Sequence, residues 1–156
     1  MSFLKLEVGN MRVSVISGYF NPIHSGHIDY IKAAQDLGDY LIVIVNNDNQ
    51  VKIKGSTPFQ DQNERFKIVS NIKGVNRVIV SIDEDSTVCK SLELAYKTFE
   101  DDPFFDEMLF CNGGDRKEGG VPEEVMSETL GIRMVYNVGG EKTQSSSELI
   151  KNSAIR

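Results

Sequence analysis

Residues 12 to 46 read RVSVISGYFNPIHSGHIDYIKAAQDLGDYLIVIVN, and this stretch decides the fold. An apolar, β-branched run opens it at 12 to 17 and another closes it at 40 to 46, which predicts two strands. Between the runs, apolar residues recur at helical spacing on a face formed by Tyr30, Ala33, Ala34 and Leu37. A strand, a helix and a second strand in succession indicate parallel strands joined by a right-handed crossover.

The alternation of strands and helices continues toward the carboxyl terminus. Further strands are predicted at 77 to 82, 107 to 112 and 132 to 138. One helix is expected to begin near Asp61, where Asp61 and Glu64 have capping-box spacing. Its inward face is expected to carry Phe66, Val69 and Ile72, and the face of a later helix to carry Val88, Leu92, Ala95 and Phe99.

Runs such as LIVIV suit strands that helices cover on both faces, so we expect an α/β fold with a doubly wound, five-stranded parallel sheet. The length of 156 residues predicts one domain over 1 to 156, with 1 to 10 as an N-terminal lead-in. Ligands of such sheets bind beyond the carboxyl ends of the strands, where the connection order reverses. The segments that follow the strands are therefore where a functional site is expected.

Composition and charge narrow the class of protein. The formal charge of −6 argues against broad binding of nucleic acid or of anionic membranes. The first residues lack the apolar stretch of a secretory signal, and LIVIV is too short to span a bilayer, so we expect a cytoplasmic protein. Cys89 and Cys111 stand far apart, without metal-site spacing, and are predicted to be reduced, buried thiols.

Both histidines of the chain, His24 and His27, lie in GYFNPIHSGH at 18 to 27, which directly follows the first strand and opens the first helix. Backbone N–H groups and the helix dipole favour an anion there, and imidazoles can add hydrogen bonds to phosphate oxygens. Gly18 and Gly26 would allow the backbone to approach a ligand. The alternatives are that the histidines only cap the helix, or that they bind zinc, for which a third ligand is lacking nearby.

The stretch GYFNPIHSGH resembles the G-x-F-[DN]-x-x-H-x-G-H motif of the HxGH nucleotidyltransferase superfamily, the cytidylyltransferase-like proteins with a Rossmann-like fold. The chain is most similar to the branch of heptose-1-phosphate adenylyltransferases and glycerol-3-phosphate cytidylyltransferases. The resemblance implies that His24 and His27 are catalytic and bind the phosphates. It also implies a nucleotide-binding role for the residues around them, namely Gly18, Tyr19, Phe20 and Gly26.

The resemblance extends to two basic segments. LGDYLIVIVNNDNQVKIKG is similar to the second-strand region of sugar-phosphate and polyol-phosphate nucleotidyltransferases, which implies that Lys54 is catalytic and that Lys52 contacts phosphate or the acceptor. Arg65 in NERFKIV matches an arginine that helps to bind phosphate in these relatives. The alternatives are solvated lysines and, for Arg65, an ion pair on a helix surface.

Two further segments complete the resemblance. CNGGDR is similar to the GGD loop of heptose-phosphate adenylyltransferases, which implies that Gly114 and Asp115 line the nucleotide pocket. TQSSSELIK is similar to the serine-rich helix start that binds the triphosphate, which assigns that role to Ser145, Ser146 and Ser147, although Ser145 and Glu148 also have capping-box spacing. Gln144 departs from the usual Ile or Cys and an expected arginine is absent, so the nucleobase stays open.

The resemblance implies transfer of a nucleoside monophosphate from ATP or CTP to a phosphorylated sugar, polyol or similar acceptor, with release of pyrophosphate and no covalent intermediate. Mg²⁺ is expected as the cofactor, delivered with the triphosphate. A homodimer is a further expectation, and neither nucleic acid nor membrane is an expected partner. The alternatives are a pantetheine-phosphate or nicotinamide-mononucleotide adenylyltransferase, and a nucleotide-binding sensor or assembly subunit without turnover.

Overall fold

A computed structural model describes residues 8–114, 116 and 119–140 of the chain. Five parallel strands form one sheet, with the bounds β1 Met11–Gly18, β2 Tyr40–Val45, β3 Arg77–Val80, β4 Phe105–Cys111 and β5 Arg133–Val135. The helices described are α1 Ser25–Leu37, α2 Asp48–Ile53, α3 Gln62–Ser70, α4 Cys89–Phe99 and α5 Glu124–Leu130. The predicted α/β class with a five-stranded parallel sheet is confirmed.

The strand order is β3-β2-β1-β4-β5, so the chain moves outward from β1 in one direction and then, with β4, in the other. Every neighbouring pair is parallel, and β1 pairs with both β2 and β4. The connection order therefore reverses between β1 and β4. In sheets of this kind ligands bind beyond the carboxyl ends of the strands at such a reversal.

Alternate residues of the strands face two separate apolar layers, as a sheet covered on both sides requires. One layer packs Val13, Val15, Ile42 and Ile44 against the α4 residues Leu92, Ala95 and Phe99. The other layer packs strand residues of opposite parity against α1 and α3, and includes Ile16, Val43, Val45, Ile31, Ala34 and Val69. The predicted burial of Val88, Leu92, Ala95 and Phe99 is confirmed.

The turn between α1 and β2 depends on the absence of a side chain at Gly38. A Cβ at Gly38 would lie 2.4 Å from Ser14 Oγ and 2.9 Å from the Arg12 carbonyl oxygen. Both distances are shorter than real Cβ contacts, and the second involves backbone that has little freedom to move. The close packing of this turn against β1 therefore requires glycine.

The helix predicted near Asp61 is confirmed, because an Asp61 carboxylate oxygen accepts from the Glu64 N–H at 2.8 Å and caps α3. The predicted inward position of Phe66 is wrong, since 40% of Phe66 is exposed. Val69 is buried, as predicted, and Arg65 also faces inward. Because successive helix residues are about 100° apart, Phe66 is turned away from the face that Arg65 occupies.

Two helices were not predicted from the sequence. In α2 only Gln50 and Val51 are buried, and in α5 only Ser127, so neither short helix shows an apolar repeat. The consequence for the site is that Lys52 lies in the last turn of α2 and Lys54 at its C-cap. The end of α5 is marked by Gly131 in the left-handed region, at φ 82°.

Cys111 is buried, as predicted, whereas Cys89 is only partly buried at the start of α4. Both cysteines are free thiols. Among the helices of the described residues, none combines the length and the apolar character that crossing a membrane would require.

Candidate active site

Among the described residues, four strand-to-helix connections lie beyond the carboxyl ends of the strands. They run from β1 to α1, from β2 to α2, from β3 to α4 and from β4 to α5. The two that flank the reversal follow β1 and β4. The tyrosine hydroxyl of Tyr30 on α1 donates to the carbonyl of Cys111 at the end of β4, so a hydrogen bond spans this reversal.

The two histidines form the cap of α1. His24 is the N-cap residue, and its Nδ1 accepts from the Gly26 N–H at 3.1 Å. In return, His27 Nδ1 accepts from the His24 N–H at 3.0 Å. This is a capping box in which histidines occupy the places usually taken by Ser or Thr and Glu. The capping interpretation of the pair is therefore structurally correct.

Capping also decides what the rings can offer to a ligand. A neutral imidazole nitrogen that accepts a hydrogen bond carries no proton, so the proton of each neutral ring is on Nε2. The two rings stack with centroids 3.9 Å apart and interplanar angle 28°. Both histidines therefore carry their Nε2–H donors at adjacent positions at the start of a thirteen-residue helix, where His24 Nε2 is buried.

The glycines of this loop make room for aromatic rings. A Cβ on Gly18 would lie 2.8 Å from the Phe20 ring, and a Cβ on Gly26 would lie 2.9 Å from the His24 ring. Phe20 is 1% exposed and contacts the His27 ring edge-on, with centroids 4.9 Å apart. Gly18 thus leaves room for the Phe20 ring, which in turn holds the position of the His27 ring. Gly26 leaves room for the His24 ring in the same way. Phe20 supports the imidazole from within the core, rather than from a position open to a nucleotide.

Arg65 is buried at the centre of the loops, with its side chain fully covered. It donates to the Tyr19 carbonyl at 2.8 Å, to the carbonyls of Asn46 and Gln60, and to Asp48 at 2.7 Å, where it also forms an ion pair. The ion pair considered as the alternative for Arg65 is thus present, but its guanidinium is buried and does not lie on a helix surface. Phosphate binding by Arg65 remains a prediction that this burial does not favour.

Three amide side chains complete the frame around these loops. Asn21 joins the histidine loop to the segment before α3, through the Thr57 carbonyl and the Phe59 N–H. Asn47 donates to the Ser81 and Asp83 carbonyls beyond β3. Gln50, fully buried, donates to the Asp85 and Thr87 carbonyls.

Sequence reasoning missed these amides because each acts on backbone carbonyls distant in sequence. The available signal for Asn47 and Gln50 was the run NNDNQ directly after a buried strand.

Lys54 and Lys52 have different surroundings. The Lys54 Nζ lies 4.3 Å from the centroid of the Tyr19 ring, a cation–π distance. Lys52 is exposed on α2, and nothing within the described residues joins it to Tyr19. The structure therefore brings Lys54, but not Lys52, to the segment that leads into the histidine pair.

Tyr19 also lies near two charged residues from the connection between β4 and α5. Burial raises the pKa of the Tyr19 phenol above its ordinary value, the Arg116 guanidinium partly offsets this, and the Glu123 carboxylate adds to it. Arg116 Nη1 is 3.8 Å from Glu123 Oε1. Neither residue was singled out from the sequence, although Arg116 directly follows the GGD motif.

The remaining predicted residues are placed only in part. Gly114 lies in the turn after β4, on the side of the sheet reversal where a nucleotide was expected. Asp115, Ser145, Ser146 and Ser147 lie outside the described residues. Within the described ranges, His, Cys, Asp and Glu side chains form no group of three or more that could hold a metal ion.

Comparison with known proteins identifies relatives over most of the chain. The family described as Cytidylyltransferase-like matches residues 15–152. An FAD synthase of Thermoplasma acidophilum is 41% identical over 69 residues, which cover 44% of this chain and 49% of that protein. The bifunctional protein HldE of Histophilus somni is 34% identical over 132 residues, which cover 83% of this chain and 24% of that protein. The aligned part thus spans half or less of these relatives.

Solved structures show the same fold. The lipopolysaccharide core biosynthesis protein of Thermoplasma volcanium has a TM-score of 0.61 at 25% identity, covering 81% of this chain and 96% of that chain. A bifunctional NMN adenylyltransferase/ADP ribose pyrophosphatase of Francisella tularensis has a TM-score of 0.59 at 14% identity, covering 91% of this chain and 41% of that chain. Because the family match extends over nearly the entire sheet and its surrounding helices, the chain belongs to the cytidylyltransferase-like family of nucleotidyltransferases.

Proposed function

We propose that this chain transfers a nucleoside monophosphate from ATP or CTP to a phosphorylated small molecule and releases pyrophosphate. The observation that carries the proposal is the histidine pair, since both Nδ1 atoms are committed to the backbone and both rings become Nε2–H donors at a helix start. A cap alone would need only an oxygen acceptor such as Ser or Asp. Two stacked imidazoles add donors suited to phosphate oxygens.

In the proposed reaction, a phosphate oxygen of the acceptor attacks the α-phosphorus of the triphosphate. One P–O bond forms as the bond to the β-phosphate bridging oxygen breaks, and pyrophosphate leaves with that electron pair. The nucleophile is already an anion, so no general base and no covalent enzyme intermediate are required. Catalysis then consists of aligning two anions and stabilising the charge that develops.

The residues divide this work. His24 and His27 would donate through Nε2–H to the α- and β-phosphate oxygens, in positions fixed by Gly26 and Phe20. Lys54, exposed at the C-cap of α2, would offset the repulsion between the two anions. Bound Mg²⁺ would neutralise phosphate charge, and we expect the phosphates to supply most of its ligands.

The named relatives suggest one specific acceptor to test. Relatives from Thermoplasma acidophilum and Pyrococcus abyssi are FAD synthases, each aligned over less than half of this chain. FAD is an AMP unit joined to FMN through a pyrophosphate linkage, so FMN is an acceptor of the proposed chemical class. A sugar 1-phosphate and a polyol phosphate are the other acceptors of this class.

The experiment is a pyrophosphate-release assay with Mg²⁺. Each of the four nucleoside triphosphates is paired with FMN, glucose 1-phosphate, glycerol 3-phosphate, ribitol 5-phosphate and phosphoethanolamine. We expect release with ATP or CTP and at least one acceptor, with mass spectrometry identifying the joined product. Thermal stabilisation by nucleotides without pyrophosphate release from any pair would instead support a nucleotide-binding sensor.

We also propose that the protein acts in the cytoplasm, as a homodimer, without nucleic acid or membrane as a partner. The formal charge of −6 supports the last point. Light scattering of the purified protein at several concentrations tests the dimer, because a molar mass near that of one 17.4 kDa chain would contradict it.

A further inference from the structure

A buried carboxylate lies beside the proposed active site with only one of its oxygens paired. Glu123, directly before α5, is 1% exposed. Its Oε1 accepts from the Val88 N–H at 3.3 Å and faces Arg116 Nη1 at 3.8 Å. Its Oε2 is buried, and no donor among the described residues reaches it. Buried carboxylates are costly unless hydrogen-bonded, so an oxygen without a donor requires an explanation.

The position of Glu123 connects it with the residues already assigned to the reaction. Arg116 and Glu123 lie close enough to the Tyr19 phenol for both charges to act on it. The Tyr19 ring in turn lies beneath Lys54. Tyr19 therefore has an ammonium group on one face, and a guanidinium and a carboxylate near its hydroxyl. Together with Tyr19 itself, these groups come from three different connections at the carboxyl edge of the sheet.

A purely structural role would not need this arrangement. A structural role needs only Glu123 Oε1, which accepts a hydrogen bond from the Val88 N–H and so joins the start of α5 to the start of α4. A glutamine could form the same hydrogen bond without a buried charge. The side chain of Arg116 is 35% exposed, and its Nη1 also donates to Asn112 Oδ1 at 3.4 Å, while the carboxylate is covered.

The Glu123 carboxylate and the Arg116 guanidinium together favour one kind of ligand group. A hydroxyl group can donate to Glu123 Oε2 and accept from the neighbouring Arg116, so it satisfies both residues at once. An ammonium group would also donate to Glu123, but the guanidinium within a few ångströms would repel it. A phosphate oxygen can accept from Arg116 or Lys54 but has no proton for Glu123. A phosphate ester with hydroxyl groups therefore fits better than an amino-alcohol phosphate.

We propose that Glu123 and Arg116 determine acceptor specificity by binding a hydroxyl group of a polyhydroxylated phosphate ester, beside Tyr19 and Lys54. This inference rests on the proposed nucleotidyl transfer. It goes further by assigning two residues that select a hydroxyl-bearing acceptor over an amino-alcohol phosphate. Neither residue contacts the reacting phosphorus, so both are specificity residues.

The test is direct binding, measured by calorimetry without nucleotide so that no turnover is required. The probes are ribitol 5-phosphate, glucose 1-phosphate, FMN and phosphoethanolamine, and the first three distinguish a polyol, a sugar and a flavin as the source of the hydroxyl groups. The proteins are the wild type, Glu123→Gln, Arg116→Gln and Glu128→Gln. The last is the matched control, because Glu128 is exposed on α5.

We expect the wild type to bind at least one hydroxyl-bearing probe more tightly than phosphoethanolamine. Glu123→Gln should weaken that binding about 10-fold or more, because a charge-assisted hydrogen bond is lost. Arg116→Gln should also weaken it, and Glu128→Gln should leave it unchanged. Affinity for ATP and CTP, measured separately, should stay at the wild-type value in Glu123→Gln.

Three results would overturn the proposal. The first is that Glu123→Gln binds the hydroxyl-bearing probes as tightly as the wild type does. The second is that Glu123→Gln loses as much affinity for ATP and CTP as for these probes. The third is that the wild type does not prefer the hydroxyl-bearing probes to phosphoethanolamine, or binds none of them. A thermal melt of each variant checks folding, and if Glu123→Gln does not fold, Arg116→Gln decides. Failure of the pyrophosphate assay with preserved binding selectivity would contradict the transfer reaction but leave the specificity site intact.

Discussion

At the scale of single residues, His24 and His27 have a structural role as the cap of α1, and the proposed reaction gives the same two rings a chemical role. Their Nδ1 atoms satisfy backbone N–H groups of the helix start, and this leaves Nε2–H as the group each neutral ring can donate. Replacing a histidine by alanine would therefore remove a cap and a donor together. A substitution that keeps the cap but removes the donor separates the two roles.

We predict that His24→Asn keeps the stability of the wild type and loses turnover. The Asn Oδ1 takes about the place of the imidazole Nδ1, and Asn is among the preferred N-cap residues. Loss of one donor to the transition state should reduce turnover about 10²- to 10³-fold. His24→Ala should lose the same turnover and, in addition, about 1 kcal/mol of stability.

The measurements are pyrophosphate release with the active substrate pair and urea denaturation of both variants. Wild-type turnover in His24→Asn would show that the ring has no chemical role. The corresponding pair at the second histidine, His27→Gln and His27→Ala, should behave in the same way, because the Gln carbonyl oxygen can accept from the His24 N–H.

At the scale of elements, the site depends on a few side chains that hold loops by their carbonyl groups. Arg65 comes from α3 but bonds to the end of β1, the end of β2 and the start of α2. Asn47 and Gln50, at the start of α2, bond to the connection after β3. A rigid frame of this kind fixes the positions of the histidines and Lys54 before any ligand binds.

We predict that Arg65→Met destabilises the folded protein by about 3 kcal/mol or more. The substitution leaves the carbonyls of Tyr19, Asn46 and Gln60 and the carboxylate of Asp48 without their donor. The stability of Arg65→Lys should lie between that of Arg65→Met and that of the wild type, because one ammonium group cannot donate to all four acceptors as the guanidinium does.

Urea denaturation measures this change, with Arg77→Met at an exposed position as the matched control, expected to stay within about 0.5 kcal/mol of the wild type. If Arg65→Met were as stable as the control while binding of ATP was lost, Arg65 would contact phosphate directly, as the family resemblance suggested.

At the scale of the whole molecule, burial makes folding stability sensitive to alkaline pH. Cys111 is fully buried at the end of β4, and burial raises the pKa of its thiol to about 11 from an ordinary value of 9.0. Below pH 9.0 the thiol is protonated in both the folded and the unfolded chain. Between pH 9.0 and about 11 the unfolded chain loses the proton while the folded protein keeps it, so stability falls.

We predict that the free energy of unfolding of the wild type decreases by about 1.4 kcal/mol for each pH unit in this window, relative to Cys111→Ala. The variant creates a small cavity and is less stable at neutral pH, but it lacks the thiol, so the comparison isolates its titration. Urea denaturation at pH 8, 9, 10 and 11 provides the measurement. Parallel pH profiles for the two proteins would contradict the prediction.

The sequence predicted the strands well because each is a buried run of β-branched or other apolar residues between turn signals. The end of β5 was placed too late: Asn137 has a positive φ of 57°, and the Val138 N–H bonds to the Asn112 carbonyl, so the chain turns away after Val135. The histidine pair at the start of α1 was identified from its motif. Its frame was not, because Arg65, Asn47 and Gln50 act through contacts between distant segments that periodicity does not reveal.

The shortness of α2 has a consequence for how this protein could be altered. Lys54 directly follows a helix of six residues, and its side-chain direction toward Tyr19 is set by the number of residues that precede it. One inserted residue would rotate Lys54 by about 100° and advance it by about 1.5 Å, even if every other side chain were retained. The exposed residues of α2 can thus vary in kind, whereas their number determines the direction in which the Lys54 side chain points.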